Sequence, residues 1–282
     1  MPARPDARAV DHYENFPVAS WLCPPRLRPP IAAIYWFART ADDIADEGTA
    51  SAADRLADMH AYRAALLDCA RGMVAPGRWE PVFRPLARQM AAHALPTALL
   101  LDLLSAFEQD VVKTRDGAGY ADRGELLDYC SRSANPVGRL LLHLYGVRDA
   151  ASMADSDRIC SALQLINFWQ DIGVDLSRGR RYLPDADCAR HGVDPVTPRS
   201  APAPARVALV RELCAWARQM MVAGSPLVHR VPGRAGWELR GVVQGGLRIL
   251  DRIEALGWGT FDARPTITRG DALVIGWRMV RM

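Results

Sequence analysis

The sequence has very little lysine and no long apolar run. Its 282 residues contain a single lysine, Lys113, and the formal net charge is only +3. A charge this small argues against a nucleic-acid-binding protein that depends on bulk electrostatic attraction. No stretch of about 18 consecutive apolar residues is present, so the pattern predicts no membrane-spanning helix. The first ten residues, MPARPDARAV, lack the apolar core of a signal peptide.

Paired cysteines are also missing. The six cysteines are widely scattered and form no C-x-x-C pair, a pattern typical of buried thiols in a reducing compartment. We therefore expect a cytoplasmic protein. Half of the residues are apolar, which is enough for one substantial core. We expect a single domain over residues 1–282, with residues 1–11 flexible.

Helical periodicity dominates what the sequence does contain. Period-2 alternation bounded by turn residues is hard to find, so the pattern predicts an all-α protein with little or no sheet. Prolines fall near several predicted helix starts, where a missing N–H costs little. The predicted helices cover residues 29–47, 52–73, 81–94, 96–115, 123–144, 155–178, 204–223 and 235–256.

The first predicted helix ends in the acidic stretch FARTADDIADEG. Four polar side chains share one face at i, i+4, i+7 and i+11: Tyr35, Arg39, Asp42 and Asp46. We expect Asp43 and Glu47 to point elsewhere, into solvent. An acidic helix face is by itself typical of solvated surface, but the residues before this one, IAAIYWFA, are strongly apolar.

A second acidic stretch lies about 130 residues later. Its polar face follows the spacing i, i+3, i+7 and i+11, with Gln164, Asn167, Asp171 and Asp175. Aspartates in apolar surroundings are costly unless they are paired or bound to a metal. Two such helices facing each other would supply four carboxylates and one amide oxygen. Hard oxygen ligands of this kind suit Mg²⁺ that shares its coordination shell with a substrate phosphate. The phosphate charge could meet Arg39, Arg180 and Lys113.

The two motifs resemble those of the squalene/phytoene synthase family. The matching patterns are Y-x3-R-x2-D-D-x2-D at residues 35–46 and Q-x2-N-x3-D-x3-D-x4-R-x-Y-L-P at residues 164–184. Three further segments resemble the branch of this family that makes hydroxysqualene in bacterial hopanoid pathways. They are HYENFPVAS at 12–20, AFEQDVVKTR at 106–115 and YCSRSANPVGRLLLHLYG at 129–146.

The resemblance implies an isoprenoid-synthase helical bundle around a central apolar cavity. It implies that Mg²⁺ is bound by Asp42, Asp46, Asn167, Asp171 and Asp175. It implies diphosphate contacts from His12, Tyr35, Arg39, Gln164 and Arg180. The cavity lining would include Tyr129, Ala134, Val137, Gly138 and Leu141. The residues expected to carry catalysis are Asp42, Asp46, Asp171, Asp175, Arg39 and Tyr129.

The implied reaction is ionisation of presqualene diphosphate followed by capture of the carbocation by water. No nicotinamide cofactor is expected, in agreement with the absence of a G-x-G-x-x-G stretch. Ser131, Ser133 and Asn135 are candidates for holding the water, although hydrogen bonding within the protein is the favoured interpretation for them. The large aromatic residues beside the motifs, Trp36, Phe37, Phe168 and Trp169, are expected in the core.

Two other functions stay open at this point. One is the condensation of two farnesyl diphosphates to presqualene diphosphate or squalene, and the other is a non-catalytic helical scaffold or membrane-surface protein. Loose membrane association is compatible with the enzyme as well, because its substrate and product are lipids. One departure from the family pattern is Gln170, where many relatives have arginine. We expect the loss of this cation to favour a reaction with one prenyl diphosphate.

Overall fold

A computed structural model describes residues 23–282, which form twelve α-helices. His12 and the expected flexible segment 1–11 lie outside this range. No β-strand occurs in it, although an isolated bridge joins Tyr120 and Pro184, so the all-α prediction is confirmed. The helices are α1 (Arg28–Asp46), α2 (Ala52–Ala70), α3 (Glu80–His93), α4 (Thr97–Asp116), α5 (Arg123–Ser133), α6 (Asn135–Tyr145), α7 (Ala150–Gln170), α8 (Ile172–Ser177), α9 (Asp185–Arg190), α10 (Ala203–Gly224), α11 (Arg234–Ala255) and α12 (Arg269–Arg281).

The predicted single helix 123–144 is wrong, because the chain breaks at Ala134. This residue has φ −122° and ψ −46°, and Pro136 follows two positions later in the first turn of α6. Proline has no N–H to donate to the carbonyl four residues earlier, and its ring clashes with that carbonyl, so one helix cannot run unbroken through this turn. The break separates Tyr129 on α5 from the predicted cavity-lining residues on α6.

The predicted helix 155–178 is wrong at its start and in its continuity, although its end agrees with that of α8. It begins five residues earlier, where the side chain of Asp149 accepts the backbone N–H of Ser152 at 2.8 Å as an N-cap. It is interrupted at Asp171 and continues as the short helix α8. Helices α9 and α12 were not predicted; α12 begins with a capping box between Thr268 and Asp271.

Two large apolar clusters form the core and meet at the acidic motifs. One is built on α7, which packs against α5, α6, α10 and α11. The other lies between α1, α2, α3 and α4. Helices α1 and α4 therefore bring polar residues from the second cluster towards the end of α7. The prediction that Phe37, Phe168 and Trp169 are buried is confirmed, whereas Trp36 is 52% exposed and was wrongly placed in the core.

The helices of residues 23–282 include none that is long and apolar enough to cross a membrane. All six cysteines are unpaired, and every one except the partly buried Cys160 is buried.

Candidate active site

Helix α1 presents its acidic residues beside a buried stripe. Phe37, Ala41 and Ala45 are buried against neighbouring helices, which fixes the orientation of α1. The Arg39 guanidinium lies 3.4 Å from the carboxylate of Asp42 and 2.7 Å from that of Asp43.

The expectation that Asp43 points away from Arg39 is therefore wrong, since i and i+4 side chains are neighbours on a helix. Glu47 is exposed, as expected.

Arg180 joins the first acidic stretch to the second. It follows α8 after a turn in which Gly179 has φ +76°, a conformation that favours glycine. Its backbone N–H donates to the Asp175 carbonyl at 2.9 Å, and its guanidinium donates to the Asp46 carboxylate on α1. Both side chains are largely buried, with exposures of 18% for Arg180 and 15% for Asp46. One arginine thus links the carboxylate faces of two helices that are far apart in sequence.

The second acidic face keeps its helical spacing across the break at Asp171. The N–H of Asp171 donates to the Asn167 carbonyl at 2.9 Å, and the N–H of Asp175 donates to the Asp171 carbonyl at 2.8 Å. These bonds hold the three side chains one turn apart. The interruption comes from Gly173, whose N–H instead donates to the Thr260 carbonyl at 3.2 Å.

Glycine is required at position 173 because another backbone segment lies directly against it. A Cβ there would lie 2.6 Å from the carbonyl oxygen of Phe261. Two further contacts hold the same irregular segment, residues 257–268, on the end of α7. Buried Gln170 donates to the Pro265 carbonyl at 2.7 Å, and Arg264 forms two hydrogen bonds to the Asp171 carboxylate.

Arg264 places a cation beside the second motif even though residue 170 is glutamine. Sequence reasoning did not find Arg264, because it lies in an irregular segment about 90 residues beyond Asp171. Its side chain is half exposed. The positive charge that we expected to be lost at Gln170 is therefore supplied from a different part of the chain.

Two of the site carboxyls have raised pKa values although arginines lie near them. Burial, followed by the charge of Asp46, raises the pKa of Asp42 to about 7. Burial, followed by the charge of Asp171, raises the pKa of Asp175 to about 7. Desolvation and like charge disfavour the ionised form of a carboxyl group. A divalent cation near each pair would offset the like charge and favour the ionised form, so the donor set fits such a cation.

Each acidic helix contributes a pair of carboxylates rather than a complete coordination sphere. No three Asp, Glu, His or Cys side chains within residues 23–282 converge closely enough to hold one ion. This arrangement suits a hard cation that takes its remaining oxygen ligands from water and from a substrate.

A buried carboxylate beside this site was not predicted. Asp110 on α4 accepts hydrogen bonds from the hydroxyls of Tyr129 and Tyr182. The ring of Tyr182 stacks on Phe168 with centroids 3.8 Å apart. Helical spacing was the signal that could have found Asp110, because Leu103 and Ala106 are buried on the same face.

Polar and aromatic groups also meet in a cavity at this end of the bundle. Asp175 and Arg180 line one part of it, and Phe168, Trp169 and Tyr182 line the other. The cavity has a volume of only about 10 Å³, so it holds no more than a water molecule between charge at one end and apolar rings at the other.

The other predicted residues occupy varied surroundings. Tyr35 and Gln164 are partly buried on α1 and α7. Gly138 packs tightly on α7, where a Cβ would lie 2.5 Å from side-chain atoms of Ser156 and Cys160. Ala134 and Val137 are partly buried near the helix break, and Leu141 packs beside the cluster of Cys23, Leu27 and Ile31.

Lys113 is not directed at the acidic helices. Its ammonium group donates to Glu125 at 2.8 Å and to the Gly119 carbonyl at 2.5 Å, and it lies 4.4 Å from the centre of the Tyr120 ring. These contacts give Lys113 a role in holding α4 to α5.

The three candidate water-holding residues differ from one another. Ser131 is exposed and donates to the Asp128 carbonyl at 2.6 Å, and buried Asn135 accepts from Ser161 at 2.9 Å. The favoured interpretation, hydrogen bonding within the protein, is therefore confirmed for these two. The hydroxyl of Ser133 is buried and has no hydrogen-bond partner in the described part of the chain.

The sequence is similar to those of squalene/phytoene synthase family members. The sequence model of the squalene/phytoene synthase family matches residues 9–271. The hydroxysqualene synthase of Sinorhizobium fredii is 36% identical over 229 residues, which are 80% of this chain and 74% of that protein. A phytoene synthase of Cereibacter sphaeroides is 35% identical over 174 residues, 60% of this chain and 48% of that protein.

Solved structures show the same relationship. Squalene synthase HpnC from Alicyclobacillus acidocaldarius has a TM-score of 0.77 and 34% identity, over 88% of this chain and 90% of that one. The predicted isoprenoid-synthase fold is confirmed by this similarity.

Proposed function

Because the chain belongs to the squalene/phytoene synthase family of enzymes, we propose that it converts presqualene diphosphate into hydroxysqualene. The observation that carries this proposal is the pair of acidic helix faces that Arg180 joins. They lie beside the stacked rings of Phe168 and Tyr182, which form an aromatic wall. In the reaction, the carbon–oxygen bond to diphosphate breaks and leaves a carbocation. Water then forms a new carbon–oxygen bond and loses one proton.

Mg²⁺ is the cation that best suits the proposed ligands. Those residues are Asp42, Asp46, Asn167, Asp171 and Asp175. When bound, Mg²⁺ would supply positive charge that stabilises the departing diphosphate. Excess negative charge at the two carboxylate pairs supports this assignment, as does the preference of Mg²⁺ for carboxylate and amide oxygens.

Arginines and neighbouring polar groups would orient the diphosphate. The guanidinium of Arg180 pairs with Asp46 and that of Arg39 pairs with Asp42 and Asp43, so both are held at the edge of the acidic site. Planar guanidinium groups bind phosphate oxygens in a bidentate manner. Tyr35 and Gln164 lie on the same helices and are proposed as further contacts.

The aromatic wall would protect the carbocation. The stacked rings of Phe168 and Tyr182 are buried beside the acidic site, so this side of the site is apolar. A dry wall limits uncontrolled capture of a reactive intermediate, so that water reaches it from one direction. Predicted lining residues on α6 are proposed to continue this wall.

Product analysis tests the proposed reaction directly. Purified protein is incubated with Mg²⁺ and presqualene diphosphate, with and without NADPH, and in parallel with farnesyl diphosphate. We expect hydroxysqualene and diphosphate from presqualene diphosphate alone, with no dependence on NADPH. Pyrophosphate released from farnesyl diphosphate would instead support condensation, the activity named for the Alicyclobacillus relative and kept as the second candidate.

Gln170 provides a test of substrate choice. The glutamine side chain now donates to the Pro265 carbonyl, and an arginine at this position would add a second cation beside Asp171 and Arg264. We expect Gln170→Arg to increase turnover of farnesyl diphosphate relative to presqualene diphosphate. An unchanged ratio between the two substrates would show that residue 170 does not set the number of diphosphates handled.

A non-catalytic scaffold is the alternative from another class. Ligand linkage separates it from the enzyme, because a ligand that binds only the folded state raises its melting temperature. We expect Mg²⁺ together with inorganic diphosphate to raise the melting temperature. Asp171→Ala should remove this increase. Absence of any increase in the unmodified protein would favour the scaffold.

Peripheral attachment to an anionic membrane is proposed as part of the same function, since substrate and product are lipids. Helix α12 exposes Leu273 by 78%, Trp277 by 56% and Val280 by 71%. Arg281 lies over the Trp277 ring at 3.9 Å, and buried Asp271 anchors the opposite face of the helix. An apolar stripe bordered by arginines is typical of a helix that lies in the membrane interface.

Vesicle sedimentation tests this attachment. We expect binding to vesicles that contain phosphatidylglycerol, weaker binding to neutral phosphatidylcholine, and loss of binding in Leu273→Glu/Val280→Glu. Equal sedimentation of this double variant and the unmodified protein would rule out α12 as the attachment surface. Turnover of presqualene diphosphate dispersed in detergent should be unchanged in the variant.

A further inference from the structure

Asp110 differs from the other deeply buried aspartates in what holds it. Each of three others is paired with two arginines. They are Asp155, Asp187 and Asp271. Asp110 is 8% exposed and accepts only neutral donors, one hydroxyl on each carboxylate oxygen. No arginine or lysine within residues 23–282 forms an ion pair with it.

Neutral donors leave the carboxylate charge uncancelled. Burial raises the pKa of Asp110 to about 6, although the hydroxyl of Tyr129 and the charge of Arg180 act in the opposite direction. The negative charge of Asp46 adds to the increase. Such a carboxylate is ionised at neutral pH but is a stronger base than an exposed aspartate.

The two hydroxyls face Asp110 from different parts of the site. Tyr129 comes from α5 and Tyr182 from the chain just after Arg180. Burial raises the pKa of both hydroxyls, so each stays neutral and donates its proton to the carboxylate. Tyr129 also lies 6.2 Å from Phe168, ring centre to ring centre, at the aromatic wall of the cavity.

We propose that Asp110 receives, through the hydroxyl of Tyr129, the proton released when water captures the carbocation. This inference rests on the proposed function. The water oxygen forms its bond to carbon and gives one proton to Tyr129. The original proton of Tyr129 passes to the Oδ2 atom of Asp110. The step consumes one water, and the product is the neutral alcohol.

Ser133 supplies a second contact for the water. It follows Tyr129 by one helical turn and therefore shares its face of α5. Its buried hydroxyl has no partner among the described residues, and a buried hydroxyl without a partner is costly unless water or a ligand satisfies it. Tyr129 and Ser133 together define where the captured water is held.

The ratio of hydroxysqualene to the other products tests the proton transfer to Asp110 more specifically than the overall rate does. Asp110→Asn keeps the shape and can accept a hydrogen bond, but it cannot take up a proton. With presqualene diphosphate and Mg²⁺ we expect a roughly 100-fold lower rate of hydroxysqualene formation. The other products that accompany diphosphate release, chiefly hydrocarbons formed by proton loss, should rise. Tyr129→Phe should shift the products in the same direction.

Asp155→Asn is the matched control, because it makes the same change in a buried aspartate near the start of α7, at the end of that helix opposite to Asp171. It should keep the product ratio of the unmodified enzyme. A folded Asp110→Asn protein with that ratio would overturn the proposal. If the unmodified enzyme forms no hydroxysqualene, the proposed function itself has failed.

A solvent isotope measurement uses only the unmodified enzyme and does not depend on the folding of any variant. If proton transfer accompanies capture, the fraction of hydroxysqualene among all products falls in D₂O. If the fraction of hydroxysqualene were identical in H₂O and D₂O, the proposed role of Tyr129 and Asp110 would be overturned.

Discussion

Two regions of this molecule hold carboxylates in opposite ways, one fully buried and one partly exposed. At the junction of α11 and α12, Asp271 is bound by Arg248, Arg252 and Thr268. At the acidic site, Asp42 and Asp175 each have another carboxylate as neighbour. The difference between the regions lies in the balance of charge.

The direction of each pKa expresses this balance. Burial acts to raise the pKa of Asp271, but hydrogen bonds from Thr268, Arg252 and Arg248 outweigh it and hold the pKa well below its usual range. At Asp42 and Asp175 burial and like charge prevail, and the pKa rises to about 7. A carboxylate whose charge is balanced by arginines stabilises the fold, whereas one whose charge is not balanced is available to a cation.

The largest expected effect comes from removing a carboxylate of the acidic site. Asp42→Ala or Asp171→Ala should lower turnover by roughly 1,000-fold or more, because electrostatic stabilisation of the leaving group is the main catalytic contribution. The circular dichroism spectrum should remain that of a helical protein. Retained turnover in either variant would contradict the role of that residue, and diphosphate release gives the measurement.

The corresponding substitution at Asp271, at the junction of α11 and α12, should change the stability of the fold. Asp271→Ala removes a carboxylate that pairs with both Arg248 and Arg252, and it removes the half of the α12 capping box in which that carboxylate accepts the Thr268 N–H. Breaking a buried charge pair is strongly destabilising, so we expect the melting temperature to fall by roughly 5–10 °C. Turnover by the folded protein well below that temperature should stay near normal. A loss of turnover without a loss of stability would contradict the comparison.

Metal-free protein should show the two regions responding to pH in opposite directions. The pKa of about 7 at Asp42 and Asp175 lies above the ordinary value of 3.8. The stability that these groups contribute is therefore fully present below about pH 4 and is lost as pH rises through 7. Asp271 has a lowered pKa, so its contribution is present above the ordinary value and is lost in acid.

Melting curves with a chelator between pH 5 and 8 measure the response of Asp42 and Asp175, and their extension to pH 3 measures that of Asp271. Asp42→Asn and Asp175→Asn should raise the melting temperature at pH 8 and flatten its decline with pH, while removing stabilisation by Mg²⁺. Asp271→Asn should lower the melting temperature throughout. If both site variants melted at a lower temperature at pH 8, the charges of these two carboxylates would be balanced in the metal-free protein, against the prediction.

The two acidic faces could be predicted because helical spacing alone places their side chains. Tyr35 to Asp46 lie within one unbroken helix. The spacing from Asn167 to Asp175 survives the break at Asp171, since the backbone bonds from Asn167 to Asp171 and from Asp171 to Asp175 persist. What the sequence pattern predicted well was therefore local geometry.

Tertiary contacts decided the features that were missed. Arg264 reaches Asp171 because Gly173 and Gln170 dock its irregular segment, and no periodicity marks such a segment. Asp110 was overlooked because one carboxylate on an apolar face is ambiguous until its tyrosine partners are known. The break at Ala134 was predictable from Pro136, whose effect on the preceding helix is local.

The smallest expected effect concerns Asp171, the carboxylate of the acidic site that has an arginine partner outside the two motifs. The Arg264 guanidinium is 51% exposed, so the pair adds little to stability, about 1 kcal/mol or less. It does compete with a cation for the same oxygens. Arg264→Ala should therefore tighten Mg²⁺ binding a few-fold in the absence of substrate, measured by calorimetry at low salt.

Arg71→Ala is a suitable control for this change, because Arg71 forms an exposed pair with Asp68 at the C-terminal end of α2. It should leave Mg²⁺ affinity unchanged. Weaker Mg²⁺ binding in Arg264→Ala would mean that Arg264 orients Asp171 for the cation rather than competing with it. In that case Asp171 would be held as Asp271 is, by an arginine that fixes its position, and charge balance alone would no longer separate the two regions.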